Sequence, residues 1–147
     1  MTVQQDPRLG AFAADHLAIQ NFYARQMHCL DEGRVDDWAA TFTPDGTFAA
    51  NAHPEPYTGR PAIAEGARAA HRALREAGVR RRHWLGMLAV EPRADGSVFA
   101  RSYAQILEIP SGGPARLLLS TTCEDVLVRD GGSWLVRDRQ VRRDDLT

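Results

Sequence analysis

Cys29-Leu30-Asp31-Glu32-Gly33-Arg34-Val35-Asp36-Asp37-Trp38 is the stretch on which the reading of this chain turns. Upstream of it, from Ala11 to Leu30, apolar side chains recur at helical spacing: Phe12, Leu17, Ile19, Phe22, Tyr23, Met27 and Leu30. Asp31-Glu32-Gly33 ends that helix, with glycine as the C-terminal stop. Val35 to Phe42 then supplies a second, short helix anchored by Trp38 and Phe42. Asp31 therefore puts a carboxylate at the end of an apolar stripe, where the chain turns. Further along, Val79-Arg80-Arg81-Arg82-His83-Trp84-Leu85-Gly86 puts a histidine at the start of a strand. A carboxylate and an imidazole brought together in an apolar pocket form a proton-transfer pair that needs neither metal nor cofactor.

Working outward, Thr43-Pro44-Asp45-Gly46 is a turn by composition, and Thr47 to Ala52 a short strand. His53-Pro54-Glu55-Pro56 is a loop. Tyr57-Thr58-Gly59-Arg60 leads into a third, alanine-rich helix with Pro61 at its first position, ending at Gly78. The periodicity then changes. Arg82 to Val90, Ser97 to Ile109, Ala115 to Arg129 and Ser133 to Arg143 read as strands. Arg93-Ala94-Asp95-Gly96, Pro110 to Pro114 and Asp130-Gly131-Gly132 separate them with hairpin chemistry. The class is α+β: a long curved antiparallel sheet, made chiefly of a four-strand meander, folded over helices. A sheet wrapped around the first helix would enclose a cone whose mouth takes a small molecule. Residues 1–10 read as a flexible tail and 11–147 as one domain, without repeats or linkers.

Composition narrows the function classes. The formal net charge is −1 over 147 residues, which argues against a nucleic-acid partner, and no apolar run approaches the ~20 residues of a membrane span. The amino terminus lacks the pattern of a secretory signal, so the expected location is the cytoplasm. All 18 basic residues are arginine, which removes lysine Schiff bases and lysine-dependent phosphate loops. Two cysteines, Cys29 and Cys123, make no disulfide framework. His16, His53 and His71 show no metal spacing with one another or with carboxylates. No metal and no cofactor are expected.

Leu30 to Trp38, continuing through Phe42-Thr43-Pro44-Asp45-Gly46, resembles the opening of a SnoaL-like domain. So do Tyr57-Thr58-Gly59-Arg60-Pro61-Ala62-Ile63 and the closing Asp130-Gly131-Gly132-Ser133-Trp134-Leu135-Val136. The resemblance covers nearly the whole chain and implies the cone-shaped barrel of the nuclear transport factor 2-like superfamily. That superfamily holds ketosteroid isomerases, scytalone dehydratase, bile-acid dehydratases, polyketide cyclases and epoxide hydrolases. It also holds non-catalytic subunits of ring-hydroxylating oxygenases, so the fold alone does not fix the function. The chain is most similar to the scytalone and bile-acid dehydratase branch, whose aspartate before an Asp-Trp and whose histidine opening the long strands match Asp31 and His83. The second catalytic histidine of scytalone dehydratase would fall near Ala104 and is missing. Its strand tyrosine would fall near Phe48 to Ala50 and is missing too. Bile-acid dehydratases use an arginine from the last strand, which Arg142 or Arg139 would supply.

On this reading His83 is the main base and Asp31 orients it or shares its proton. An ordinary imidazole titrates near ~6.5, which suits exchange at neutral pH. Tyr23, two turns before Asp31, is the third catalytic candidate, either a core aromatic or a donor to a substrate carbonyl. Tyr57, Asn51, Trp84, Tyr103 and Arg142 are candidate substrate contacts, and Phe48 and Met87 help set the pocket shape. The expected function is a cofactor-independent dehydratase, cyclase or isomerase acting on a small oxygenated, polyketide-like molecule, in a homodimer or other homo-oligomer. The alternative is a non-catalytic subunit or binding protein on the same scaffold, which copurification with a large partner would reveal.

Overall fold

The computed structural model describes Gln4 and residues 6–146. Helix α1 (Pro7–Asp31) opens on Asp6, whose carboxylate accepts the Arg8 backbone N–H at 2.9 Å, with Pro7 in the first turn. Residues 7–10 are thus helical, which corrects the far end of the expected tail; residues 1–3 and 5 of that tail lie outside the described residues. The buried stripe of α1 is Ile19, Tyr23, Gln26 and Met27. Phe12 and Leu17, grouped with the stripe on spacing alone, are exposed.

Two further helices follow, α2 (Val35–Ala39) and α3 (Arg60–Glu76). The turn from α1 to α2 closes by two backbone bonds, Gly33 N–H to Leu30 C=O at 3.2 Å and Arg34 N–H to Cys29 C=O at 2.9 Å. That is the closure a glycine in the left-handed region permits. Gly33 has φ +74°, and a β-carbon there would fall 2.3 Å from the His71 ring of α3. Conformation and space both require glycine.

The strands are β1 (Phe42–Ala50), β2 (Tyr57–Thr58), β3 (Val79–Pro92), β4 (Val98–Pro110), β5 (Arg116–Asp130) and β6 (Ser133–Arg143). They form one sheet in the order β2-β1-β6-β5-β4-β3. Strands β3 to β6 are the expected antiparallel meander. Strand β1, however, pairs with β6 in parallel, so the sheet is mixed: β1 meets β6 through the whole intervening chain and not through a hairpin. The sheet's edges, β2 and β3, do not pair, which leaves an open cone. Thr43 to Gly46 lies within β1, at a break in register between Phe42 and Thr47. Pro44 cannot donate to a ladder, so the turn-like composition produces an irregularity inside a strand.

Alternation along the strands decides what faces the helices. On β3, Val79, Arg81, His83 and Leu85 are partly buried while Arg80, Arg82 and Trp84 are exposed. A bulge between Gly86 and Ala89, with Met87 at φ +52°, shifts the inward positions to Leu88 and Val90. Between sheet and helices sit Ile19, Trp38, Phe42, Ile63, Leu127 and Val136, each worth about 1.5–3 kcal/mol in burial. Trp38 meets the rings of Phe42 and Phe48 edge-on at 5.1 and 5.9 Å. Near the narrow end this core is closed; toward the C-terminal end of α1 it opens into a cavity.

Candidate active site

The cavity has a volume of about 1410 Å³ and is bounded by α1, α2, α3 and the inner face of the sheet. Met27, Leu30, Trp38, Phe48, Ile63 and Leu85 give it apolar walls. Asp31, the last residue of α1, and His83 on β3 meet within it. The Asp31 Oδ1 lies 2.6 Å from His83 Nδ1, and Asp31 Oδ2 accepts the His83 backbone N–H at 3.1 Å. The Asp31 side chain is 5% exposed and that of His83 21%. A carboxylate accepts only, so the shared hydrogen belongs to Nδ1 and the Nε2 lone pair of the neutral ring is free for the cavity. A carboxylate at a helix C-terminus opposes the helix dipole. Helix stability does not explain Asp31 there; two bonds to His83 do.

A second polar cluster lies deeper. Arg139, inward on β6, donates to both oxygens of Asp125 on β5 at 2.9 and 2.8 Å and to Gln26 Oε1 at 2.7 Å. The Tyr23 hydroxyl donates to Asp125 Oδ2 at 2.6 Å. Gln26 donates onward to Thr41 Oγ1 at 2.7 Å. The side chains of Arg139 and Asp125 are 3% and 0% exposed. Burial alone would lower the Arg139 pKa, but the Asp125 carboxylate beside it wins, and the guanidinium stays firmly protonated. Burial, then the Asp125 charge, push the Tyr23 phenol well above its usual value. The same two causes push up the Cys123 thiol, which leaves it a small neutral hydrophobe against the cavity. The cluster pins the middle of α1 to β5 and β6, and so fixes where Asp31 emerges.

A SnoaL-like domain model matches residues 11–140. The chain belongs to the SnoaL-like family. Among solved structures, a Catenulispora acidiphila protein in complex with S-DNPA is 37% identical, with a TM-score of 0.80, covering 90% of this chain and 96% of that one. Aln2 from a Streptomyces species is 35% identical over 98% of this chain and 96% of its own, with a TM-score of 0.82. ActVI-ORFA from Streptomyces coelicolor is 31% identical, covering 90% and 96%, with a TM-score of 0.83. None of the curated proteins matches the chain.

Of the sequence candidates, the SnoaL-like cavity gathers Asp31, His83 and Tyr57. The Tyr57 ring lies against Gly66 of α3, where a β-carbon would come within 2.9 Å of it. The other placements need correction. Tyr23 spends its hydroxyl on Asp125 and is not among the residues lining this cavity. Asn51 bridges the backbone N–H and C=O of Arg143 at the sheet edge. Trp84 and Tyr103 point to the outer face, 71% and 51% exposed, because they alternate with His83 and Ala104. Met87 is turned outward by the bulge. Arg142 faces out and pairs with Glu124 at 3.0 Å, while its alternative, Arg139, reaches the cavity floor. Asp125 and Gln26 were missed altogether. The signal was there, since Asp125 alternates with Cys123 and Leu127 on an inward face, and a buried carboxylate requires a partner.

Among the described residues, no group of three or more His, Cys, Asp or Glu is arranged to hold a metal ion, and no helix is long and apolar enough to cross a membrane.

Proposed function

We propose that this protein is a cofactor-independent acid–base enzyme of secondary metabolism, a dehydratase, cyclase or isomerase acting on a small oxygenated, aromatic polyketide-like intermediate. One observation carries the reading: the Asp31–His83 pair, joined at 2.6 Å, opens onto an otherwise largely apolar cavity. His83 Nε2 takes the proton beside a substrate carbonyl, Asp31 stabilises the imidazolium that forms, and the returned proton leaves with water or reaches another carbon. Tyr57, which lines the cavity and whose hydroxyl has no partner among the described residues, would donate to the carbonyl oxygen. The Catenulispora relative was solved in complex with S-DNPA, which supports a small-molecule ligand, and the cavity's volume, above the usual ~300–1,000 Å³ of small-molecule sites, gives room for several rings.

The same reading has the protein working in the cytoplasm, in keeping with two unpaired cysteines. It also makes the protein a homodimer or other homo-oligomer. The exposed outer face of the sheet carries Trp84, Met87, Tyr103 and Leu117, apolar surface that a second copy would cover.

The test is turnover of a panel of β-hydroxy-ketone and pyran-forming intermediates by wild type, His83→Ala and Asp31→Asn. Loss of ~10²–10⁴ in rate in both variants is expected. Variants that keep wild-type rates would place the chemistry elsewhere. Binding without turnover, in a complex with a large partner subunit, would favour the non-catalytic reading.

A further inference from the structure

Arg81 is the second inward arginine of the sheet, two positions before His83 on the same face of β3. Unlike Arg139, it makes no ion pair. Its Nε is buried without a hydrogen-bond partner, and no ion pair among the described residues includes it. The carboxylate opposite it in the strand register, Glu108, is held by Arg116 at 2.7 Å. Arg81 lines the cavity, two residues before His83, and Arg75, Arg80 and Arg82 also line it. The acids of the lining are both engaged, Asp31 by His83 and Glu32 by Arg34. One wall of an apolar chamber therefore ends in a partly desolvated, unpaired guanidinium, the side chain best shaped to grip two anionic oxygens at once.

We propose that Arg81 forms an anion subsite and that the molecule taken by this cavity carries a carboxylate at the end remote from the reacting carbon. Residues two apart on a strand are about 7 Å from each other, so a ligand gripped at Arg81 lays its ring system across His83. The proposal rests on the acid–base reading only in calling that ligand the substrate; the subsite itself rests on Arg81.

The experiment is calorimetric titration of the purified protein with 2-naphthylacetate and, separately, with its uncharged methyl ester. A charge-assisted grip predicts that the acid binds about tenfold or more tighter than the ester. Arg81→Gln should erase that preference by weakening the acid alone, leaving ester affinity unchanged. Arg81→Lys should retain part of it, and His83→Ala all of it. Equal binding of acid and ester by wild type overturns the subsite, and that measurement needs no variant to fold. A preference that survives in Arg81→Gln also overturns it, by assigning the anion to the other lining arginines. Each hypothesis can fail alone: an acid preference without turnover sinks the enzymatic reading, and turnover with equal binding sinks the subsite.

Discussion

Replacing Asp125 by Asn preserves shape but removes one charge and turns one accepting oxygen into a donor facing Arg139 or Tyr23, and the structure predicts a large effect. Arg139 would then keep its guanidinium, with a side chain 3% exposed, and have no anion beside it. Breaking one partner of a buried pair costs about 3–5 kcal/mol, because the remaining charge is stranded. Against a total stability of ~5–15 kcal/mol this is a severe loss. It corresponds to a fall in Tm of roughly 10–20 °C for a chain of this length. Thermal melts by circular dichroism, with urea unfolding at unchanged m, would measure it. The neighbouring pair Arg142–Glu124, also on β6 and β5 but facing outward, is the control: Glu124→Gln should stay within about 2 °C of wild type. Asp125→Leu with Arg139→Met should recover only part of the loss, because it removes both charges together but leaves the Tyr23 hydroxyl and Gln26 Oε1 without partners. A melting point for Asp125→Asn within about 3 °C of wild type would refute the argument, since it would mean that the guanidinium reaches water or another acid.

Alkaline conditions should destabilise the fold through Tyr23. Its folded pKa is raised by burial and by Asp125, so the stability it contributes is complete below pH ~10, the value for a free tyrosine. Above that it is lost, because the unfolded chain releases a proton that the folded one holds. Wild-type Tm should therefore fall more steeply between about pH 9 and 11 than that of Tyr23→Phe. Ionisation of all three tyrosines below about pH 11 in the folded protein, followed by absorbance, would contradict this. Thiol labelling should likewise separate the cysteines. Cys29, half-buried, reacts at about pH 8, whereas Cys123, with its thiol pushed up by burial and Asp125, reacts only on unfolding, as mass spectrometry of the labelled peptides would report.

The fold was legible because its signals are local. Glycine hairpins, alternating strands and the Leu30–Gly33 stop act within a few residues, and those parts of the sequence reading stand. The parallel union of β1 with β6 has no local signal, since it joins Thr47 to Asp138 across the whole meander. The site was legible in part. Asp31 and His83 were read from resemblance, and their meeting was an expectation no spacing could secure. Trp84, Tyr103 and Arg142 failed for one reason: each is one step along a strand from an inward residue, and the reading assigned roles by residue type without fixing the face. The β3 bulge at Met87 worsened this, for it changes parity inside a single strand.

The cone thus contains two buried carboxylates, each held by a nitrogen side chain from the sheet, and their surroundings suit them to different work. Asp125 and Arg139 are buried beneath the cavity floor that Arg139 reaches, and the arginine cannot give up its proton at any working pH. That pair can hold α1 in place but cannot exchange a proton with a ligand. Asp31 and His83 sit at the edge of the same core, on the cavity wall, and the partner there is an imidazole, whose second ring nitrogen can serve as a base where a guanidinium cannot. Exchanging the two cations would ruin both sites, since an arginine beside Asp31 would offer no base and a histidine beside Asp125 could lose its charge and leave the carboxylate stranded. The dependence runs one way: the Asp125–Arg139 pair fixes α1, α1 ends on Asp31, and Asp31 orients His83. On the proposed acid–base function, a change that loosens Arg139 should therefore degrade catalysis as well as stability, whereas a change at His83 should act chiefly on catalysis, its stability cost confined to the lost side-chain bond to Asp31.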